Sequence, residues 1–402
     1  MQEPTAHPDY AAAIAGLGRT SPGDISGLLV AALAPLGVSN LAVFLADFDQ
    51  MVLQPLLLAQ DWAAADWAAE EENVLEHDID TTMAGRCFQS GAPVTAPRPE
   101  GVRVWVPLVE RSVRIGVLAL TVREASEALL ARCVEVGQFG GLLIASAMRY
   151  TDLVHLRRQS RTMTAAAAMQ WDLLPPVTIL GPQVVSTGRL EPAYDVAGDA
   201  FDHAINGEWL HAAIFDGMGH DLSSTLMATL AVGVYRHARR SGLDLPHIYA
   251  AVDDAVAAHC RGEGFVTGLL LRLHLQSGSL EWVSAGHPPP LLLRGRHVVG
   301  QLDGGPCLPF GLQDSCTPAA QERLQPGDSL LLYTDGVIES RPEQGEDLGV
   351  DRLADLWARE TVPDRSADEV TRRLVHLVVE HQRGKLHDDA TLLLIRWSGP
   401  RT

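Results

Sequence analysis

Apolar residues recur at three- and four-residue intervals from Asp24 to Leu36 (Ile25, Leu28, Leu29, Ala32, Leu33), the spacing of a helix with one buried face. Before it, residues 1 to about 21 mix Pro, Gly and Ala without a period, as in a loose tail holding at most one short helix. Two short strands are predicted next, Asn40 to Ala46 and Met51 to Leu58, around the turn Asp47-Phe48-Asp49-Gln50. Thr81 to Gln89 reads as a helix that Gly91 stops, and Pro93 begins an extended piece. Val102 to Val109 and Val113 to Leu120 alternate around Glu110-Arg111-Ser112, which predicts a hairpin, and a long helix follows from about Glu124 to Tyr150.

From Tyr150 to Leu174 the chain is helix-prone, with Leu153, Leu156, Met163 and Ala167 on one seam and Arg157, Arg158 and Arg161 outside it. Ser160 and Gln170 interrupt the seam, so a parallel two-stranded coiled coil and a single amphipathic linker both fit. The stretch must stop at Leu173-Leu174-Pro175-Pro176, since proline cannot continue a helix. Beyond it, helices are predicted at Ser223–Arg240, Pro246–Cys260 and Ala367–Arg383. Strands are predicted at Leu210–Phe215, Val266–Leu275, Ser279–Val283, Leu291–Leu293, Ser329–Tyr333 and Thr391–Trp397. Hairpin-linked strands with separate helices define an antiparallel α+β layer fold.

Composition sets the outer bounds. The 402 residues suffice for two ordinary domains, and 47% hydrophobic with 20% charged residues is a globular balance. A formal charge of −19, from 31 basic and 50 acidic residues, argues against a nucleic-acid partner and serves solubility. The five cysteines (Cys87, Cys133, Cys260, Cys307, Cys316) form no CxxC pair, which argues against a disulfide framework or a zinc knuckle. Neither a secretory signal nor an uncharged run of ~20 residues is visible, so the expectation is a cytoplasmic protein off the membrane.

The candidate chemistry lies in four short stretches that place an aspartate at the edge of a strand. They are Val196-Ala197-Gly198-Asp199, Asp216-Gly217-Met218-Gly219-His220, Tyr333-Thr334-Asp335-Gly336 and His387-Asp388-Asp389-Ala390-Thr391. A single Asp-Gly pair is most often a turn. Several carboxylates converging without histidine or thiolate neighbours instead suit a hard, oxygen-seeking cation such as Mg2+ or Mn2+. Paired divalent ions on such carboxylates acidify a water and clamp a phosphoryl group, so the set points to metal-assisted phosphate chemistry. Asp216 is the residue best suited to lie between two ions. His220 has the residue type of an acid or a water-orienting group and equally of a buried hydrogen-bonding residue near the turn, whereas His287, before three prolines, reads as structural. Asp202 and Asp389, beside motif aspartates, read as hydrogen-bond acceptors behind the ligands. Cys87 and His77, each alone, read as structural rather than as cofactor attachments.

The order of these stretches, with Ser-Ala-Gly-His-Pro-Pro-Pro-Leu-Leu at 284–292 between the second and third, resembles bacterial PP2C-type phosphatases of the SpoIIE and RsbU kind over roughly residues 176 to 398. The resemblance implies two antiparallel sheets between helix pairs, with two Mn2+ or Mg2+ ions in a cleft at one end. It implies that Asp216 bridges the metals, that the Gly217 carbonyl binds one, that Asp335 and Asp388 bind the other, and that Asp199 binds directly or through water. It further implies a phosphoserine or phosphothreonine substrate on an anti-sigma-factor antagonist. Two positions depart from the family: Ala197 replaces the first glycine of Gly-Gly-Asp, and Asp221 the last glycine of Gly-His-Gly. These departures motivate a rival reading, a non-catalytic signalling module that uses the phosphatase fold to bind a partner.

Residues 22–150 resemble a GAF domain, a sensory fold, through Gly85–Val94, Val104-Trp105-Val106-Pro107-Leu108 and Gly116–Leu120. The implied organisation is a tail (1–21), a GAF-like sensor that binds a small molecule or only dimerises (22–150), a helical linker (151–175) and a phosphatase domain (176–398), with a homodimer as the expected assembly.

Overall fold

The computed structural model describes residues 7–17, 19–21, 24–56, 77–195, 198–219, 222–313, 318–339, 347–383, 386 and 388–401. Val196, Ala197, His220, Asp221, Cys316 and His387, singled out above, and the last two positions of the Met51–Leu58 stretch lie outside them. The chain divides into two compact units, Met1–Thr162 and Met163–Thr402.

The first unit is built on strands β1 (Ser39–Ala46), β2 (Val52–Pro55), β3 (His77–Asp78), β4 (Val94–Arg98), β5 (Gly101–Glu110) and β6 (Val113–Val122). They form one six-stranded antiparallel sheet in the order β3-β2-β1-β6-β5-β4. The expected hairpin is present, with Glu110 opposite Val113 and the turn made possible by Arg111 at φ 52°. One face carries the helices Ile25–Leu33 and Glu127–Ala147, packed through Leu29, Val106, Leu118, Val136 and Ile144. The other face carries Met83–Ser90, packed through Phe44, Phe88 and Trp105. Side chains of Asp24, Thr82 and Ser126 cap these three helices by accepting the N–H of Gly27, Gly85 and Leu129. Among the described residues only Glu127–Ala147 is long and apolar enough to cross a membrane, and its buried face is the one that packs on the sheet.

The stretch Tyr150–Leu174 is not a continuous helix. It breaks into Leu153–Arg158 and Ala165–Leu173, the latter capped by Thr164. The coiled-coil seam is divided accordingly. Leu153 packs on the core of the first unit, Leu156 is exposed, and Met163 and Ala167 pack on Leu190 of the second unit. The break follows from tertiary bonds: Ser160 Oγ donates to Asp47 Oδ2 at 2.9 Å, and Arg161 pairs with Asp49, holding the segment against the β1–β2 turn.

The second unit carries β7 (Thr178–Leu180), β8 (Val184–Glu191), β9 (Asp199–Asn206), β10 (Trp209–Gly217), β11 (Val266–His274), β12 (Ser279–Ala285), β13 (Leu291–Arg294), β14 (His297–Gln301), β15 (Pro306–Cys307), β16 (Ala320–Arg323), β17 (Ser329–Tyr333) and β18 (Ala390–Trp397). One sheet runs β15-β12-β11-β10-β9, with β16 also on β12; the other runs β14-β13-β17-β18-β8-β7. All pairings are antiparallel except β12 with β15. Phe201, Ile214, Leu271, Leu330, Leu393 and Trp397 fill the space between the sheets. Leu222–Arg240 and Leu245–Cys260 cover the outer face of the first sheet, while Gly349–Glu360 and Ala367–His381 cover that of the second. The result is the α-β-β-α sandwich that the strand pattern and the resemblance implied. Cys307 is disulfide-bonded, a bond that the cysteine spacing did not announce.

Candidate metal centre

Strand direction brings the aspartates together. β9 begins at Asp199 and β10 ends at Gly217, and their antiparallel register sets Asp216 directly opposite Asp199. In the other sheet β17 ends at Tyr333 and β18 begins at Ala390, with Tyr333 opposite Leu392. Asp335, opening the short helix Asp335–Ile338, and Asp388 therefore emerge at the same end.

Hydrogen bonds tie the two sheet ends to each other. Thr334 Oγ1 donates to Asp199 Oδ2 at 2.7 Å and accepts the Thr391 N–H at 2.9 Å. Asp389 Oδ2 accepts the N–H of Gly198 at 2.8 Å and of Asp199 at 3.3 Å. The spacing is close enough to require glycine at two points. A Cβ on Gly336 would stand 2.0 Å from the Asp389 carbonyl, and one on Gly198 would stand 2.9 Å from the Gly217 carbonyl.

The bonds frame a cleft of about 400 Å3 lined by Asp216, Met218, Gly219, Phe265, Thr267, Asp335 and Asp388. Among the described residues, no basic side chain is in that lining. Burial, then Asp335 and Asp388, push the Asp216 carboxyl up to about 7. Asp335 is raised by burial and then by Asp388. Asp199, fully buried, is held well above the usual carboxylate range by burial and then by Asp216 and Asp389. Carboxylates crowded without a counter-charge are a fitting donor set for divalent cations. Among the described residues, no three His, Cys, Asp or Glu side chains are already drawn together closely enough to hold one ion unaided. An open site in which ions share carboxylates and keep waters meets that arrangement.

All five residues expected to hold metal are thus placed at one end of the sandwich, with Asp216, Asp335 and Asp388 on the cleft and Asp199 and Gly217 beside it. Asp202 is not behind the cleft ligands. It is buried in ion pairs with Arg239 at 2.9 Å and Arg236 at 3.2 Å. His287 is buried, its Nδ1 2.9 Å from Thr267 Oγ1, and burial lowers its pKa to about 3. Cys87 is buried, its thiol pushed up to about 12 by burial, which leaves it inert as an attachment point. The sequence reading missed Thr334 and Thr267, although Thr334 stands inside the Tyr-Thr-Asp-Gly motif itself.

A sandwich of two antiparallel sheets between helix pairs, with aspartates of both sheets meeting at one end, defines the C-terminal unit as a PP2C-type phosphatase domain. That domain is of the SpoIIE and RsbU kind: residues 206–398 match the family of Stage II sporulation protein E (SpoIIE). Phosphoserine phosphatase RsbU of Bacillus subtilis (strain 168) is 23% identical over 228 residues, 54% of this chain and 67% of RsbU. Among solved structures, the RsbU and RsbW domains of Rv1364c from Mycobacterium tuberculosis are 26% identical with a TM-score of 0.49, over 55% of this chain and 63% of that one. The SiaA-PP2C domain of Pseudomonas aeruginosa is 21% identical with a TM-score of 0.49, over 58% of this chain and 94% of that one. This chain therefore spans less than two thirds of the Rv1364c chain it matches.

Proposed function

We propose that this chain is a Mn2+- or Mg2+-dependent phosphatase that removes phosphate from serine or threonine of a protein, under control of its GAF-like N-terminal unit. The observation that carries the reading is the meeting of Asp216, Asp335 and Asp388 on one cleft. Asp216, which has Asp335 and Asp388 as charged neighbours, would be the carboxylate shared by two ions. Asp335 and Asp388 would hold one of them, the Gly217 carbonyl the other, and Asp199 would support the pair from the facing strand. When bound, the two ions supply a polarised water and a clamp on the phosphoryl oxygens. The protein's own part is to hold the carboxylates rigidly on strand ends, through Thr334 and Asp389.

RsbU's name as a phosphoserine phosphatase supports phosphoserine as the substrate group. The family resemblance supports an anti-sigma-factor antagonist as the protein that carries it. The sensor assignment is supported by the six-stranded antiparallel sheet with helices on both faces. A cytoplasmic homodimer joined through this unit completes the proposal. The test is hydrolysis of p-nitrophenyl phosphate by the full chain. Turnover should vanish in EDTA and return with Mn2+ more readily than with Zn2+, because the described cleft lining offers carboxylates and neither thiolate nor imidazole. Folded protein without metal-dependent turnover would overturn the reading and favour the non-catalytic module.

A further inference from the structure

A buried histidine stands between the cleft and the facing sheet. We propose that Thr267 is a catalytic residue of this cleft, a hydrogen-bond acceptor for the attacking water, and that His287 is the positioning residue that fixes its hydroxyl in that role. The inference rests on the phosphatase reading above and adds two side chains to its site. Thr267 lines the cleft, and the register of β10 and β11 sets it directly opposite Asp216. Asp216 in turn faces Asp199 on β9, so Asp199, Asp216 and Thr267 form one row across three neighbouring strands and share a face of the sheet. A neutral hydroxyl is thus the next group in a line of carboxylates.

His287 reaches Thr267 from a built turn. Ser284 Oγ accepts the His287 N–H at 3.3 Å and donates to the His287 carbonyl at 2.8 Å. Gly286, at φ 64°, lets the turn pass, since a Cβ there would stand 2.6 Å from Pro309 Cγ. The ring is buried, and its Nδ1 lies 2.9 Å from Thr267 Oγ1. Nε2 meets no partner at full hydrogen-bonding geometry among the described residues; the backbone group that draws on the ring is that of Tyr333, at the end of β17. Because it favours the protonated ring, that group is the carbonyl, an acceptor.

These contacts give the pair a direction. Burial keeps the imidazole neutral, so only one of its nitrogens carries a proton. The Tyr333 carbonyl can only accept, which puts that proton on Nε2 and leaves Nδ1 a lone pair. Nδ1 must then accept the Thr267 O–H, and the threonine oxygen is left with lone pairs alone for the cleft. Such an oxygen cannot donate to a phosphoryl group. It can take a hydrogen of a water held beside Asp216 and turn that water's own lone pair toward phosphorus. An apolar residue would fill the same turn without leaving a nitrogen half satisfied, so packing alone does not account for a histidine there.

The first measurement needs no metal. Long-range proton–nitrogen correlation spectra of the metal-free full chain, with the His287 signals identified by their loss in His287→Asn, should show the ring proton on Nε2. Thr267→Val should shift Nδ1 toward a free lone pair, and a proton found on Nδ1 would overturn the proposal. The second measurement is turnover of p-nitrophenyl phosphate with Mn2+. Thr267→Val should lower kcat about tenfold, the factor of one hydrogen bond to a reacting group, with KM and calorimetric Mn2+ affinity within about twofold. Thr267→Ser, and His287→Asn, whose Oδ1 can stand where Nδ1 stands, should each stay within about threefold of wild type. His287→Phe should match Thr267→Val, and the double variant should be no slower than either, because the histidine acts only through the threonine. Full kcat in Thr267→Val, a loss of Mn2+ affinity as large as the loss of kcat, or additive losses in the double variant would each overturn it. Wild-type turnover separates the two readings. Its absence sinks the phosphatase assignment and the role of Thr267 with it, whereas normal turnover that Thr267→Val leaves untouched sinks this inference alone.

Discussion

Thr334→Val tests whether the link between the two sheets sets the metal site. Thr334 is fully buried, and its hydroxyl donates to Asp199 Oδ2 at 2.7 Å while accepting the Thr391 N–H at 2.9 Å. Valine keeps the shape and removes both bonds. A hydrogen bond to a charged group is worth about 1.5–3 kcal/mol, and a buried N–H left without its acceptor costs about 1–3 kcal/mol. Taking about 2 kcal/mol for the share that falls on Asp199, and 1.36 kcal/mol per tenfold, Mn2+ affinity should drop about 30-fold. The assay is calorimetric titration of the metal-free chain with Mn2+, with circular dichroism and a urea midpoint to show that the fold persists. Thr334→Ser keeps the hydroxyl and should return the affinity to within about threefold of wild type, since it restores the bond to the charged group. Unchanged affinity in Thr334→Val would refute the reasoning. So would a serine variant as weak as valine, because packing of the methyl would then be the cause.

Asp216→Ala should reduce phosphatase turnover below about a tenth, since a bridging ligand acts as part of a unit. The metal-free variant should be at least as stable as wild type by urea midpoint, because one of several crowded carboxylates is gone; retained turnover would show that Asp216 is not a bridge. His203, whose Nε2 is 2.7 Å from the Pro176 carbonyl and Nδ1 2.8 Å from Ser186 Oγ, gives a pH dependence. Burial lowers its pKa from 6.5 to about 4, so the unfolded chain takes up the proton first as pH falls. The stabilisation, of order 3 kcal/mol at 1.36 per unit, is whole above pH 6.5 and is lost between there and about 4. The cleft carboxylates shift the opposite way in metal-free protein, so the readout is the difference in urea midpoint between wild type and His203→Gln at pH 7 and at pH 4.5. A difference that does not narrow toward pH 4.5 would refute the assignment.

Strand β10 could be read from its letters because both of its faces are buried: after Leu210 and His211, Ala212, Ala213, Ile214 and Phe215 form an apolar run that ends in Asp-Gly. Its neighbours β8 and β9 could not. Their sequences, Val-Val-Ser-Thr-Gly-Arg-Leu-Glu and Asp-Ala-Phe-Asp-His-Ala-Ile-Asn, place polar residues at buried positions. Those residues are satisfied by partners far along the chain: Arg189 by Asp368, Ser186 by His203, and Asp202 by Arg236 and Arg239. A periodicity test scores such positions as exposed, so the strands disappear from it. The linker shows the converse error. Its spacing supports one long helix, but Asp47 and Asp49, more than a hundred residues upstream, draw Ser160 and Arg161 out of it.

The same division between local and distant information runs through the site. Three of the four aspartates, Asp199, Asp216 and Asp335, announce themselves by the residue beside them, since Asp with Gly at a strand end is a local pattern. What turns four such turns into one cleft is not local at all. Thr334 must meet Asp199 across 135 positions of sequence, and Asp389 must meet Gly198 across 191. Both contacts need the two sheets to close face to face in one register, because a slip by one residue would send these side chains to the opposite face. Gly336 and Gly198 carry the imprint of that closure, since a methyl at Gly336 would run into the Asp389 carbonyl and one at Gly198 would crowd the Gly217 carbonyl. The motif glycines are thus a record of the distance between motifs, and the threonine beside Asp335 is the bond that fixes it.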